Sequence, residues 1–252
     1  MAAAAAEGLN DTGITWGGHY PKGNAADCTA RLAGADAAAA AAFAAAQDCA
    51  HGRDRTRPDP ADGAAGFSYR KIDAAGRPLP ADAPEWACVL DTVTGLMWEV
   101  KQPADGVPGN RGLHDADDLF TWYNPAPRRN GGAIGDWNAD RAQCTGYTPG
   151  QPATYCNTGE FVARVNRAGL CGHHDWRLPS LPELASLVHF GRTRPAVDTA
   201  WFPHTRNTFY WSDSPHARLA AVAWAVNFEF GYTAAVPRDH PRPVRLVRGG
   251  RP

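Results

Sequence analysis

The sequence predicts an α+β domain, with helices first and an antiparallel sheet towards the end of the chain. Three stretches carry that expectation. Ser180 stands three residues before Glu183, ahead of Leu181, Leu184, Leu187 and Val188 on one face, which is a capping box opening an amphipathic helix. The run NTGEFVARVNRAGLCG offers Asn157 and Thr158 as N-terminal caps, Phe161, Val162 and Val165 at helical spacing, and Gly169 as a stop;. In WAVNFEFGYT, Trp224, Val226, Phe228 and Phe230 alternate with Ala225, Asn227 and Glu229, the period of a half-buried strand.

Along the chain, residues 1–84 form an extension rich in Ala, Gly, Asp and Pro, with loop signals in RPDPADGAAG (57–66) and PLPADAP (78–84);. Within it, Ala37 to Ala46 has high helix propensity and little but Phe43 to bury, so a short helix tethered by flanking cysteines is expected;. Residues 85–252 hold eight of the nine tryptophans and are expected to contain the main core. The first well-capped helix there spans about 158–168 and the second 181 to about 189. FYWSD (209–213) and PVRLVRG (243–249) are expected as strand neighbours of the alternating segment, joined through a loop around PRDHPRP;.

Charge excludes some functions. With 25 Lys plus Arg against 26 Asp plus Glu, no global field draws the protein to nucleic acid or an anionic membrane. The longest apolar stretch, Ala37 to Ala46, is about half of the ~20 residues that a membrane-spanning helix needs. The start, MAAAAAEGLNDTG, lacks the basic and leucine-rich parts of an intact secretory signal and fits the stub of a removed one. Six cysteines, none in CxxC spacing, favour disulfides and an oxidising location that is periplasmic, outer-surface or secreted. Sequence alone leaves 15 pairings open; proximity suggests Cys28 with Cys49 and Cys144 with Cys156, leaving Cys88 with Cys171.

Six segments together resemble a known family: LDTVTGLMWE, LHDADDLFTWYNP, VNRAGLCGHHDWRLPSLPELASLV, FYWSDSP, AWAVNF and VRLVRG. In order and spacing they are similar to the bacterial Lcl-type domain, named for the C-terminus of the Legionella collagen-like protein. The resemblance covers about Trp86 to Gly249. GLNDTG and QDCAHGRD upstream resemble the leader of some members more loosely. What the resemblance implies is a C-type-lectin-like fold, akin to the formylglycine-generating enzyme, an exported location and use as a binding module or adhesin.

Candidate site residues follow from chemistry rather than from the fold. Arg238, His240 and Arg242 with Glu229 and Tyr232 combine cationic and aromatic groups on loops and strand ends, and arginine's planar fork suits sulfate or carboxylate;. Trp122 and Tyr123 are a candidate sugar-stacking platform, although core packing is the favoured reading of both. Asp115, Asp117 and Asp118 are the one calcium candidate, set against solvated loop acids as the commoner case;. His173, His174 and Asp175 read as a turn between helices, with Asp175 capping backbone N–H groups and Trp176 anchoring the core. No GxSxG, HExxH or phosphate-binding glycine loop is present, so a non-enzymatic module that requires no cofactor and binds a glycan or protein surface is expected. The alternatives are a structural part of an envelope assembly, or a metal-dependent enzyme on the same fold.

Overall fold

The computed structural model describes residues 10–19, 23–25, 36–57, 60–138 and 140–249. It is a mixed α+β architecture. A small hairpin of β1 (Gly17–His19) and β2 (Gly23–Ala25) precedes helix α1 (Ala37–Ala45) and the single turn α2 (Arg53–Thr56). Strands β3 (Tyr69–Ile72), β4 (Cys88–Asp91) and β5 (Leu96–Glu99) follow, then helices α3 (Thr158–Ala168) and α4 (Leu181–Ala185). The chain continues through β6 (Phe209–Pro215), β7 (Val222–Asn227) and β8 (Tyr232–Pro237) to β9 (Val247–Gly249). One antiparallel sheet has the order β3-β4-β5-β9 and the other β6-β7-β8.

Both sheets separate two apolar clusters, and strand alternation assigns each side chain to one of them. Met97, Cys88 and Ile72 face one cluster while Leu96, Trp98, Val89 and Tyr69 face the other; likewise Trp211, Ala223 and Ala225 oppose Tyr210, Val226 and Phe228. With apolar material on both faces, β5 is buried throughout its length. The β4–β5 turn is set by Asp91, whose carboxylate accepts the N–H groups of Val93 and Thr94, and by Gly95 at φ 72°;.

Both predicted helix starts are observed. Asn157 accepts the Glu160 N–H at 2.9 Å, and Ser180 and Glu183 form the reciprocal capping box. Helix α4, expected to reach about 189, stops at Ala185. The Ser186 hydroxyl donates back to the Glu183 carbonyl, and the His189 N–H leaves the helical ladder for the carbonyl of Ala196;.

Three further expectations are corrected. The alternating segment is not one strand through Phe230: it ends at Asn227, because the Asn227 side chain accepts the N–H groups of Glu229 and Phe230 and Gly231 adopts φ 81°;. Its neighbours are β6 and the unforeseen β8, whereas the PVRLVRG stretch supplies β9 to the other sheet. The core sheet also begins before residue 85, since β3 pairs with β4 from Tyr69↔Asp91 to Ile72↔Cys88.

Disulfides join Cys144 to Cys156, as proximity suggested, and Cys88 to Cys171, the pair that was left over. The first closes the approach to α3; the second ties β4 to the loop after α3. The remaining expected pair involves Cys28, which lies outside the described residues. Helix α1 buries no residue. The GLNDTG and QDCAHGRD segments meet, because Asp11 accepts the N–H groups of Arg53 and Asp54, and Asn10 bonds to Asp91 of the core sheet.

Candidate functional site

The tip of the β7–β8 hairpin gathers exposed aromatic and charged side chains. Phe230 and Tyr232 are 48% and 49% exposed, and Phe190, which follows α4, is 51% exposed. Such exposure is unusual for phenylalanine. Gly231 seats the turn against Phe190: a Cβ there would stand 2.6 Å from Val188 and 3.5 Å from the Phe190 ring. The Arg194 guanidinium lies 5.2 Å from the Phe230 ring centroid, and its Nε reaches Glu229 at 3.3 Å. Tyr232 meets Phe209 edge to face at 5.5 Å, and Arg242 sits 5.7 Å from the Phe209 ring. The tip thus presents Phe190 and Phe230 with Arg194 and Glu229 on the side of the second cluster, and Tyr232 with Phe209 and Arg242 on the side of the first.

Of the expected binding residues, Tyr232 and Arg242 share Phe209 as a neighbour, and Glu229 stands at the turn paired with Arg194. Arg238 lies at the other end of β8, about 20 Å away at strand rise. It is 3% exposed, against the expectation of a loop cation. Its three donor nitrogens reach the carbonyls of Val222, Ala133 and Asn130, and its guanidinium stacks 4.1 Å from the Trp122 ring. Its role is to bind loop 130–133 to the second sheet. His240 is exposed beside it, apart from the patch.

Trp122 is fully buried, with its indole N–H donating to the Ser212 carbonyl, so the core reading holds for it. Tyr123 is half-buried, packed on Gly159 of α3 in a groove of about 360 Å³.

The three acids are not solvated. Asp115, Asp117 and Asp118 are all buried and accept backbone N–H groups: Asp117 from Asp105 and Gly106, Asp118 from Gly109 and Thr145, and Asp115 from Arg111 and Asp117. They organise loop 105–118 as a scaffold. Burial pushes the Asp118 carboxyl upward, while the Thr145 and Gly109 N–H groups pull the other way.

In the CGHHDWRLPS stretch, Trp176 is buried with its indole donating to the Leu170 carbonyl, as expected. Asp175 differs: it pairs with Arg248 of β9 through two contacts at 2.7 and 3.1 Å. The His174 ring bonds to the Asn166 carbonyl.

Phe190, Arg194 and Phe209 were missed. Phe230 was assigned to a buried strand face; the NFEFG stretch, with a turn-forming asparagine and glycine around two aromatics, was the signal for a hairpin tip.

The fold and this surface define a disulfide-bonded α+β domain that displays an aromatic and cationic rim on one hairpin. A family model, the Lcl C-terminal domain, matches residues 87–248, and the chain belongs to that family. No curated protein and no solved structure matches the chain.

Proposed function

We propose that this chain is an extracytoplasmic, C-type-lectin-like binding module and adhesin that recognises a glycan through the hairpin rim and performs no chemistry of its own. The observation that carries this reading is the exposure of Phe190, Phe230 and Tyr232 about the hairpin turn, the first two with Arg194 and Glu229 and the third with Phe209 and Arg242 on the other face of the sheet. Sugar rings offer apolar faces for such rings and hydroxyls for the charged groups, and aromatic and arginine side chains dominate recognition surfaces generally. Two disulfides support an oxidising compartment;. Among the described residues no helix is long and apolar enough to cross a membrane.

The test is a glycan array with the wild-type chain and the Phe230→Ala plus Tyr232→Ala variant. Loss of these two platforms should weaken any hit by about tenfold or more, and Arg194→Ala should reduce its salt sensitivity. Undiminished glycan binding by the double variant would move the site elsewhere. Co-purification with envelope proteins and no glycan signal would favour the structural alternative.

A further inference from the structure

A cleft of about 710 Å³, within the range of small-molecule sites, opens between the loop before β4, loop 101–114 and the turn at His204. One of its walls is chemically organised. Glu99 of β5 is fully buried and accepts from Lys101 Nζ at 2.9 Å, from the Leu246 N–H at 2.8 Å, and from His114 Nδ1 at 2.8 Å. Burial alone would push the Glu99 carboxyl up, but Lys101 and His114 outweigh it and hold its pKa at about 2. Glu99 is therefore a carboxylate that only accepts, so the His114 nitrogen facing it carries the hydrogen. The opposite nitrogen, Nε2, belongs to a ring that lines the cleft.

The rest of the lining is cationic or neutral apart from Glu85. Arg111 gives its Nε to Asp105 at 3.0 Å, and its two terminal nitrogens have no partner among the described residues. His204 lines the opposite wall. Behind it Arg245 is fully buried, and among the described residues it has a single hydrogen bond, to Thr205, and no carboxylate partner. Unpaired guanidinium nitrogens draw a carboxylate, and His114 Nε2 offers a second polar edge that accepts on the neutral ring and donates on the protonated one.

We propose that this cleft binds a small carboxylate ligand that also carries a hydroxyl or amide group, the carboxylate on Arg111 and the second polar group, able to donate or accept, on His114 Nε2. The site is distinct from the hairpin rim, and its occupancy does not depend on glycan recognition there. A sugar-derived acid and a peptide C-terminus share this chemistry.

The test is NMR titration of the full chain, following the ring resonances of His114 and His204. D-gluconate represents the first source and N-acetylalanine the second; acetate lacks the second polar group and D-glucose lacks the charge. At least one of the first two should shift both rings saturably, about tenfold more tightly than either control, and Arg111→Ala, at a surface position, should weaken it about tenfold. The tighter of the two probes identifies the source. No saturable shift with either probe, acetate binding as tightly, or a shift unchanged in Arg111→Ala would each overturn the proposal. Phe230→Ala, which tests the rim, should leave this titration unaltered.

Discussion

Two buried groups set how the protein responds to acid. His189 is 5% exposed, its ring stacks on Phe67 at 5.5 Å, and its Nδ1 has no partner. Burial and the nearby Arg192 hold its pKa below 6.5, against a weaker upward pull from Asp198. The unfolded chain therefore takes up a proton that folded His189 resists, and stability falls as pH drops below 6.5. Glu99 acts lower down: with a folded pKa near 2 against 4.5, its contribution is complete above 4.5 and is lost as pH falls towards 2. Thermal melts from neutral pH to about 3 should show the midpoint falling in two stages, and His189→Phe should shrink the upper one, to which His204, also held low by burial and Arg245, contributes. Arg238→Ala is expected to cost at least ~2 kcal/mol, since a buried cation with three carbonyl partners is lost;. Urea denaturation checks it, and glycan binding at the rim should survive at temperatures where the variant is folded.

At the scale of elements, the helices were legible because their signals are local. Ser180 with Glu183, and Asn157 with Gly169, fix helix ends within a few residues of sequence;. Ser180→Ala should cost about 1 kcal/mol, measured as a shift of the denaturation midpoint with unchanged slope. The strands were harder to read. In β7 the burial pattern follows two cores rather than one, so Ala225, Val226, Asn227 and Phe228 are all buried in succession and simple alternation misassigns them;. Strand β8, with only one buried position, gives almost no apolar period. The partner of β9 is β5, more than a hundred residues earlier, and no local pattern specifies such a pairing.

At the scale of the whole molecule, the two disulfides among the described residues differ in the loops they close. Cys88–Cys171 spans 83 residues of sequence and Cys144–Cys156 only 12, so chain entropy assigns about 4.5 kcal/mol to the first and about 3 to the second. Paired Cys→Ser variants should lower stability in that order in urea melts. The rim itself was half legible: Glu229, Tyr232 and Arg242 carry the right chemistry in sequence, but Phe190 and Phe209 join them only through packing of the loop after α4 and the start of β6. Arg238 shows the reverse, a cation with binding chemistry that the fold spends on its own carbonyls. The central claim is that the hairpin tip is the contact surface, and hydrogen exchange of the full chain with and without a bound glycan tests it most directly. Protection confined to residues 190–194 and 227–232 is the predicted result; protection around 129–136 and 220–221, or at no site on the tip, would contradict it.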